Sequence, residues 1–144
     1  MRSVYQGLYV SSRRDCFTGN DNWAVVHACG GYCLDNYKFT VLEVGKNLYL
    51  NMKDRDTPHF VRSMFKRFLE FAFSYWSNGY NILVHCYAGE SRSPSLALLF
   101  LAKSLKVIPG DCFEIARFEY ELMDPGYFPG RGIENYLRNN WDVI

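Results

Sequence analysis

Apolar residues in this chain fall into short unbroken runs separated by stretches of helical spacing. Leu8-Tyr9-Val10 and Trp23 to Cys29 are runs of strand length, the second closed by Gly30-Gly31. Residues 11 to 22, polar and rich in turn formers, predict a loop or short helix between them. Phe39 to Leu50 predicts two extended segments around Gly45-Lys46-Asn47, the second running on to Met52. Ile82, Leu83 and Val84 follow the turn signal Ser77-Asn78-Gly79 and predict a buried strand that delivers His85 and Cys86 to its C-terminal end.

Between these runs the spacing changes to three and four. From Pro58 to Trp76 the positions Val61, Met64, Phe65, Phe68, Ala72 and Tyr75 predict an amphipathic helix, with Arg62, Lys66, Arg67 and Glu70 on its other faces. From Ser93 to Lys106 nearly every position is apolar, which predicts a buried central helix with Pro94 in its first turn, where a missing N–H costs nothing. Asp111 with Glu114 resembles a capping box opening a helix that runs to about Met123, and Asp124-Pro125-Gly126 ends it. Gly132 to Asn140 predicts a last short helix. Strands alternating with helices imply an α/β fold, one compact domain over 1–144 with a central, mainly parallel sheet flanked by helices. In such a sheet the ligand site lies at the C-terminal ends of the strands.

Composition narrows the function classes. The 144 residues suffice for one sizeable core, and the balance of 49% hydrophobic to 22% charged residues is that of a globular domain. A net charge of +1, with no basic run longer than Arg13-Arg14, gives no footprint for nucleic acid or an anionic membrane. Met1 to Val10 carries no apolar core of signal-peptide length, so the expectation is a soluble, cytoplasmic monomer. Five cysteines, one placed where chemistry needs a free thiol, argue for a reducing compartment, and no disulfide is required to explain the fold. His27, Cys29 and Cys33 are three metal-compatible side chains within seven residues. A zinc site wants four ligands and no second pair follows, so these are read as ordinary core or edge positions and no metal or cofactor is expected.

The stretch NILVHCYAGESRSP, Asn81 to Pro94, carries the chemistry. A strand ends at a cysteine, a loop of five residues follows, and an arginine opens a helix. In that arrangement the backbone N–H groups of Tyr87, Ala88, Gly89, Glu90, Ser91 and Arg92 converge on one anion, helped by the positive end of the helix dipole. Gly89 supplies the flexible point. The same field favours Cys86 as a thiolate, the nucleophilic form of the side chain. The planar guanidinium of Arg92 matches two phosphoryl oxygens, and Ser93 is positioned to hydrogen-bond the sulfur when it leaves.

His85-Cys86, five residues, then Arg92-Ser93 is similar to the signature of the protein tyrosine phosphatase superfamily, and the longer string HCYAGESRSP resembles its dual-specificity branch. Gly7 to Val10, GLYV, resembles the opening segment of many such phosphatases. The resemblance implies a protein tyrosine phosphatase-like domain acting on phosphorylated protein. Cys86 would be the nucleophile, Arg92 and the loop amides the phosphate clamp, and His85 a buried residue that shapes the loop rather than a proton shuttle.

Expelling an alkoxide or phenoxide needs a general acid. Asp54 and Asp56 both follow the segment ending at Met52. Asp56 or Thr57 suits the N-cap of the helix from Pro58, and a capping carboxylate is a poor proton donor. Asp54 has no such competing task. It lies 32 residues before Cys86 and forms Asp54-x-x-x-Pro58, similar to the acid loop of tyrosine-specific relatives, although Met52-Lys53 stands where those carry Trp-Pro. Asp54 is therefore the expected acid. The alternatives are a phosphatase for a non-protein phosphate, such as a phosphoinositide or an RNA 5′ end, and an inactive phosphate-binding module. Glu90 in the loop repels additional phosphates and so weighs against polyanionic substrates.

Overall fold

A computed structural model describes residues 1–30, 39–53 and 60–144. Among these residues six strands form one sheet: β1 (Arg2–Tyr5), β2 (Leu8–Ser11), β3 (Trp23–His27), β4 (Val41–Val44), β5 (Asn47–Leu50) and β6 (Asn81–His85). Their order across the sheet is β1-β2-β6-β3-β5-β4. The inner four, β2, β6, β3 and β5, run parallel, while β1 and β4 close the two edges antiparallel. This is the mainly parallel sheet expected from the alternation of strand and helix. β1 was not anticipated: its four residues bury only Val4, too little for a periodicity signal, and it folds back on β2 through Gly7, whose φ is +73°.

Among the described residues four α-helices cover the sheet: α1 (Arg62–Ser77), α2 (Arg92–Leu99), α3 (Phe113–Met123) and α4 (Arg131–Asn140). On α1 the buried residues are Met64, Phe65, Phe68, Phe71 and Ala72: four of the positions read from the spacing are buried, Phe71 joins them, Tyr75 is half-buried, and Val61 is exposed and extended before the first turn. The helix therefore begins later than Pro58; residues 54–59 lie outside those described. α2 is the buried central helix, every residue from Arg92 to Leu99 being inaccessible to solvent or nearly so. It does not continue unchanged to Lys106: from Phe100 to Ser104 the helix widens to π spacing, and Lys106 turns out of it at φ +55°. α3 starts two residues after Asp111 with Cys112 as its N-cap, and that side chain caps no N–H, so the capping box is not formed.

One apolar core joins the faces of β2, β3, β5 and β6 to α1, α2, α3 and α4, with Phe65, Phe68, Phe100, Phe113 and Tyr120 its bulkiest members. Cys16, Cys86 and Cys112 are not in disulfides, whereas Cys29 is disulfide-bonded. No helix among the described residues is long and apolar enough to cross a membrane. The consequence for function is geometric: β6 is buried from Ile82 to His85 and α2 along its whole length, so the six-residue turn from Cys86 to Ser91 between them is anchored at each end on rigid elements.

Candidate active site

The turn from β6 to α2 is shaped by donors from outside it. Arg13 N–H donates to the Tyr87 carbonyl (3.2 Å), the Arg2 guanidinium to that of Gly89 (2.6 Å), and Phe128 N–H to that of Glu90 (2.8 Å). In a trans peptide the N–H points opposite to the C=O, and no peptide here is cis. Drawing those three carbonyls outward therefore turns the N–H groups of Ala88, Glu90 and Ser91 to the inner side of the turn. Gly89 completes it with φ +79°. Its N–H donates to Cys86 Sγ at 3.2 Å. Cys86 N–H is itself fixed by the Ser11 carbonyl at the end of β2 (3.2 Å), and Gly130 N–H donates to Ser91 Oγ (2.8 Å).

A cavity of about 380 Å³ opens over this turn, lined by Cys86, Tyr87, Ala88, Glu90, Ser91, Arg92, Phe128 and Gly130. Cys86 is 1% exposed. Ser93 Oγ lies 3.2 Å from Cys86 Sγ and 3.2 Å from the Ser11 carbonyl. One hydroxyl hydrogen serves both: when the sulfur carries a proton Ser93 donates to Ser11, and when it does not, Ser93 donates to the sulfur. Arg92 is buried, and its Nη1 donates to the Met52 carbonyl at 2.8 Å. Its Nε, equally buried, has no hydrogen-bond partner among the described residues. A depression of about 420 Å³ between Gly7 and Trp76 is larger, but its lining has no cysteine, histidine or charged side chain.

The turn, Cys86, Arg92 and Ser93 thus come together as the local sequence places them. His85 is fully buried beneath them, its Nε2 2.8 Å from His27 Nδ1. Burial first, and then the neighbouring imidazole of His27, push the His85 pKa down to about 4, so the ring is neutral near pH 7. Such a ring does not exchange protons with substrate near neutral pH, which fits a shaping role. Asp54 and Asp56 lie outside the described residues.

Residues far from the motif complete the site and were not foreseen. Arg2 bridges the Gly89 carbonyl to Asp124, with 2.8 Å from Nε to Oδ1 and 3.0 Å from Nη2 to Oδ2. Asp124 is 2% exposed and also accepts from Tyr120 Oη at 2.9 Å. An Asp before Pro125-Gly126 signals a helix end, so the sequence held no separate clue to this ion pair. Phe128, 75% exposed on the cavity rim, is the kind of bare aromatic that a solvent-facing loop does not need for stability.

Fold and turn together describe an α/β domain in which a buried strand ends just before Cys86 and a buried helix opens at Arg92. Solved structures share that fold. DUSP15 superposes with a TM-score of 0.72 at 20% identity, over 98% of this chain and 86% of its own. Human DUSP28 gives 0.70 at 14% identity, over 97% and 94%. The human tyrosine phosphatase-like serine/threonine/tyrosine-interacting protein gives 0.74 at 16% identity, over 98% and 95%. The two DUSP proteins are dual-specificity phosphatases. No protein-family model and no curated relative matches the sequence.

Proposed function

We propose that the chain is a cysteine-dependent phosphoprotein phosphatase that hydrolyses phosphotyrosine and also phosphoserine and phosphothreonine. The observation that carries this reading is the pairing, in one cavity, of a buried cysteine with donors on its sulfur and an arginine whose buried Nε has no partner among the described residues. An unpaired buried donor of a cation is costly, and a phosphoryl oxygen is the acceptor that would relieve it.

In the first step the Cys86 thiolate attacks phosphorus, the P–O bond to the leaving group breaks, and the leaving oxygen takes a proton from the general acid, assigned to Asp54. In the second step the Asp54 carboxylate takes a proton from water. The resulting oxygen attacks the phosphocysteine, the S–P bond breaks, and inorganic phosphate leaves with Cys86 restored as thiolate. Arg92 Nε and the N–H groups of Ala88, Glu90 and Ser91 hold the equatorial oxygens in both steps, and Ser93 Oγ–H stabilises the departing sulfur. The proton moves only between Asp54, leaving group and water.

Tyr87 and Phe128 on the cavity wall favour a substrate with an aromatic or aliphatic side chain behind the phosphate, as in a phosphorylated protein. The exposed Glu90 disfavours a second phosphate. We assign the activity to a monomer in the cytoplasm, where the Cys86 thiol that the chemistry requires stays reduced, acting without a nucleic-acid or membrane partner. A panel of phosphotyrosyl and phosphothreonyl peptides, a phosphoinositide and a 5′-phosphorylated RNA tests the reading. Turnover of the peptides supports it, and turnover confined to the lipid or the RNA contradicts it.

A further inference from the structure

Behind the turn from Cys86 to Ser91 a second group of side chains meets, of which the phosphatase reading uses only His85, as a shaping residue. β3 and β6 end in register at His27 and His85, which brings the two imidazoles side by side. Cys16 reaches them from the loop after the short turn Arg13–Asp15. The Sγ of Cys16, Nδ1 of His27 and Nε2 of His85 lie within 4.8 Å of one another, with 3.6 Å from sulfur to His27 Nδ1 and 2.8 Å between the two ring nitrogens.

Which ring atoms carry lone pairs follows from the neighbours. Asn47 Nδ2 donates to the Val44 carbonyl (3.2 Å), and Asn47 Oδ1 accepts from Gly19 N–H (2.8 Å), which fixes the orientation of the amide. Asn47 Oδ1 lies 3.0 Å from His27 Nε2, so Nε2 carries the hydrogen and Nδ1 the lone pair. That lone pair faces Cys16 and His85 together. The His27 ring is further held by Tyr49, stacked at 4.4 Å between centroids and 10° between planes. An imidazole oriented by a carbonyl on its far nitrogen is how proteins present histidine to a metal.

We propose that Cys16, His27 and His85 form a binding site for one zinc ion, open to solvent on the Cys16 side. Tetrahedral zinc, with Zn–S near 2.3 Å and Zn–N near 2.05 Å, sets ligand atoms about 3.6 Å apart for sulfur–nitrogen and about 3.3 Å for nitrogen–nitrogen. The Cys16–His27 distance already has that value. The two imidazoles must part by about half an ångström and Cys16 close on His85 by roughly one, movements available to the exposed Cys16 loop more than to the strands. On binding, Cys16 releases its thiol proton to solvent, and His85 moves its ring hydrogen from Nε2 to Nδ1 to free the lone pair. Water takes the fourth position, since Cys16 is exposed.

The test uses the full chain carrying Cys86→Ser, so that the nucleophile cannot itself ligate, and reads zinc by calorimetry and by metal analysis after dialysis. One zinc per chain is expected. Asn47→Ala in that background weakens it by about 10- to 100-fold, the usual effect of removing the group that orients a ligand histidine, and Cys16→Ser by at least as much. Circular dichroism melts confirm that these variants fold. Cobalt(II) offers a readout that needs no change in affinity: a sulfur-to-cobalt charge-transfer band is expected that disappears with Cys16→Ser and persists with Cys112→Ser. Failure to retain zinc, or retention with unchanged affinity in Cys16→Ser, overturns the proposal and leaves the phosphatase reading untouched.

Discussion

A comparison of Gly89→Ala with Gly79→Ala separates the shape of the turn from Cys86 to Ser91 from stability in general. Both glycines have left-handed backbones, at φ +79° and +86°. Placing a Cβ on either costs about 1–2 kcal/mol of folding free energy. At Gly79 nothing lies within 4 Å of the added carbon, so strain is the whole effect. At Gly89 the carbon meets Ser12 N at 2.9 Å, Ser11 C at 3.0 Å and Ser11 O at 3.1 Å, all backbone atoms at the end of β2 that cannot rotate away. Relief requires the turn to move by about half an ångström. That shift carries with it the Gly89 N–H on Cys86 Sγ and the carbonyl held by Arg2. Since a misplacement of about 1 Å costs roughly 10²-fold in rate, a tenfold or greater loss in kcat is expected for Gly89→Ala. Gly79→Ala should keep its activity while its Tm falls by roughly 3–8 °C. Differential scanning fluorimetry and steady-state hydrolysis of an aryl phosphate measure both. Wild-type kcat in Gly89→Ala, or an equal loss of activity in both variants, refutes the argument that this glycine sets the geometry of the turn.

Arg92→Lys keeps the charge but loses the planar Nε donor, and kcat should fall by about 10²-fold or more; a near-wild-type rate would show that Arg92 does not clamp the phosphoryl group. Arg2→Met leaves Asp124 buried with Tyr120 and frees the Gly89 carbonyl. Because Arg2 itself is 40% exposed, the expected destabilisation is reduced to about 1–3 kcal/mol, accompanied by a lower kcat; an unchanged melting curve would remove Arg2 from the account. Asp54→Asn should cut kcat by about 10²-fold on a substrate with a poor leaving group and by much less on one with a good leaving group, while Asp56→Asn mainly lowers Tm. Leaving-group dependence in Asp56→Asn would reverse the two roles.

The site was legible where its parts are consecutive. One strand, one turn and one helix N-terminus carry Cys86, Arg92 and Ser93, and local spacing alone determines how they meet. It was not legible where the chain returns from a distance. Arg2 is 87 residues from the carbonyl it holds, and Phe128 and Gly130 close on the turn from beyond α3. No periodicity encodes such pairings, because they depend on the strand order that places β1 and β2 beside β6. The same holds for His27, grouped by sequence proximity with Cys29 and Cys33 but joined in space to Cys16 and His85 by the register of β3 and β6. Among the elements, the long apolar run after Arg92 gave a helix, but its widening at Phe100 has no glycine or proline to announce it. β1 was missed because an edge strand with one buried side chain looks like coil.

The proposed reaction requires Cys86 to become covalently phosphorylated during turnover. Rapid acid quench of the wild-type chain with an aryl phosphate, followed by intact-mass and peptide mass spectrometry, measures this directly. The account predicts one added phosphoryl group on the peptide carrying Cys86, formed at the rate of leaving-group release and absent in Cys86→Ser, which should not turn over. Turnover without a phosphocysteine, or a Cys86→Ser variant that hydrolyses the substrate at the wild-type rate, would contradict it.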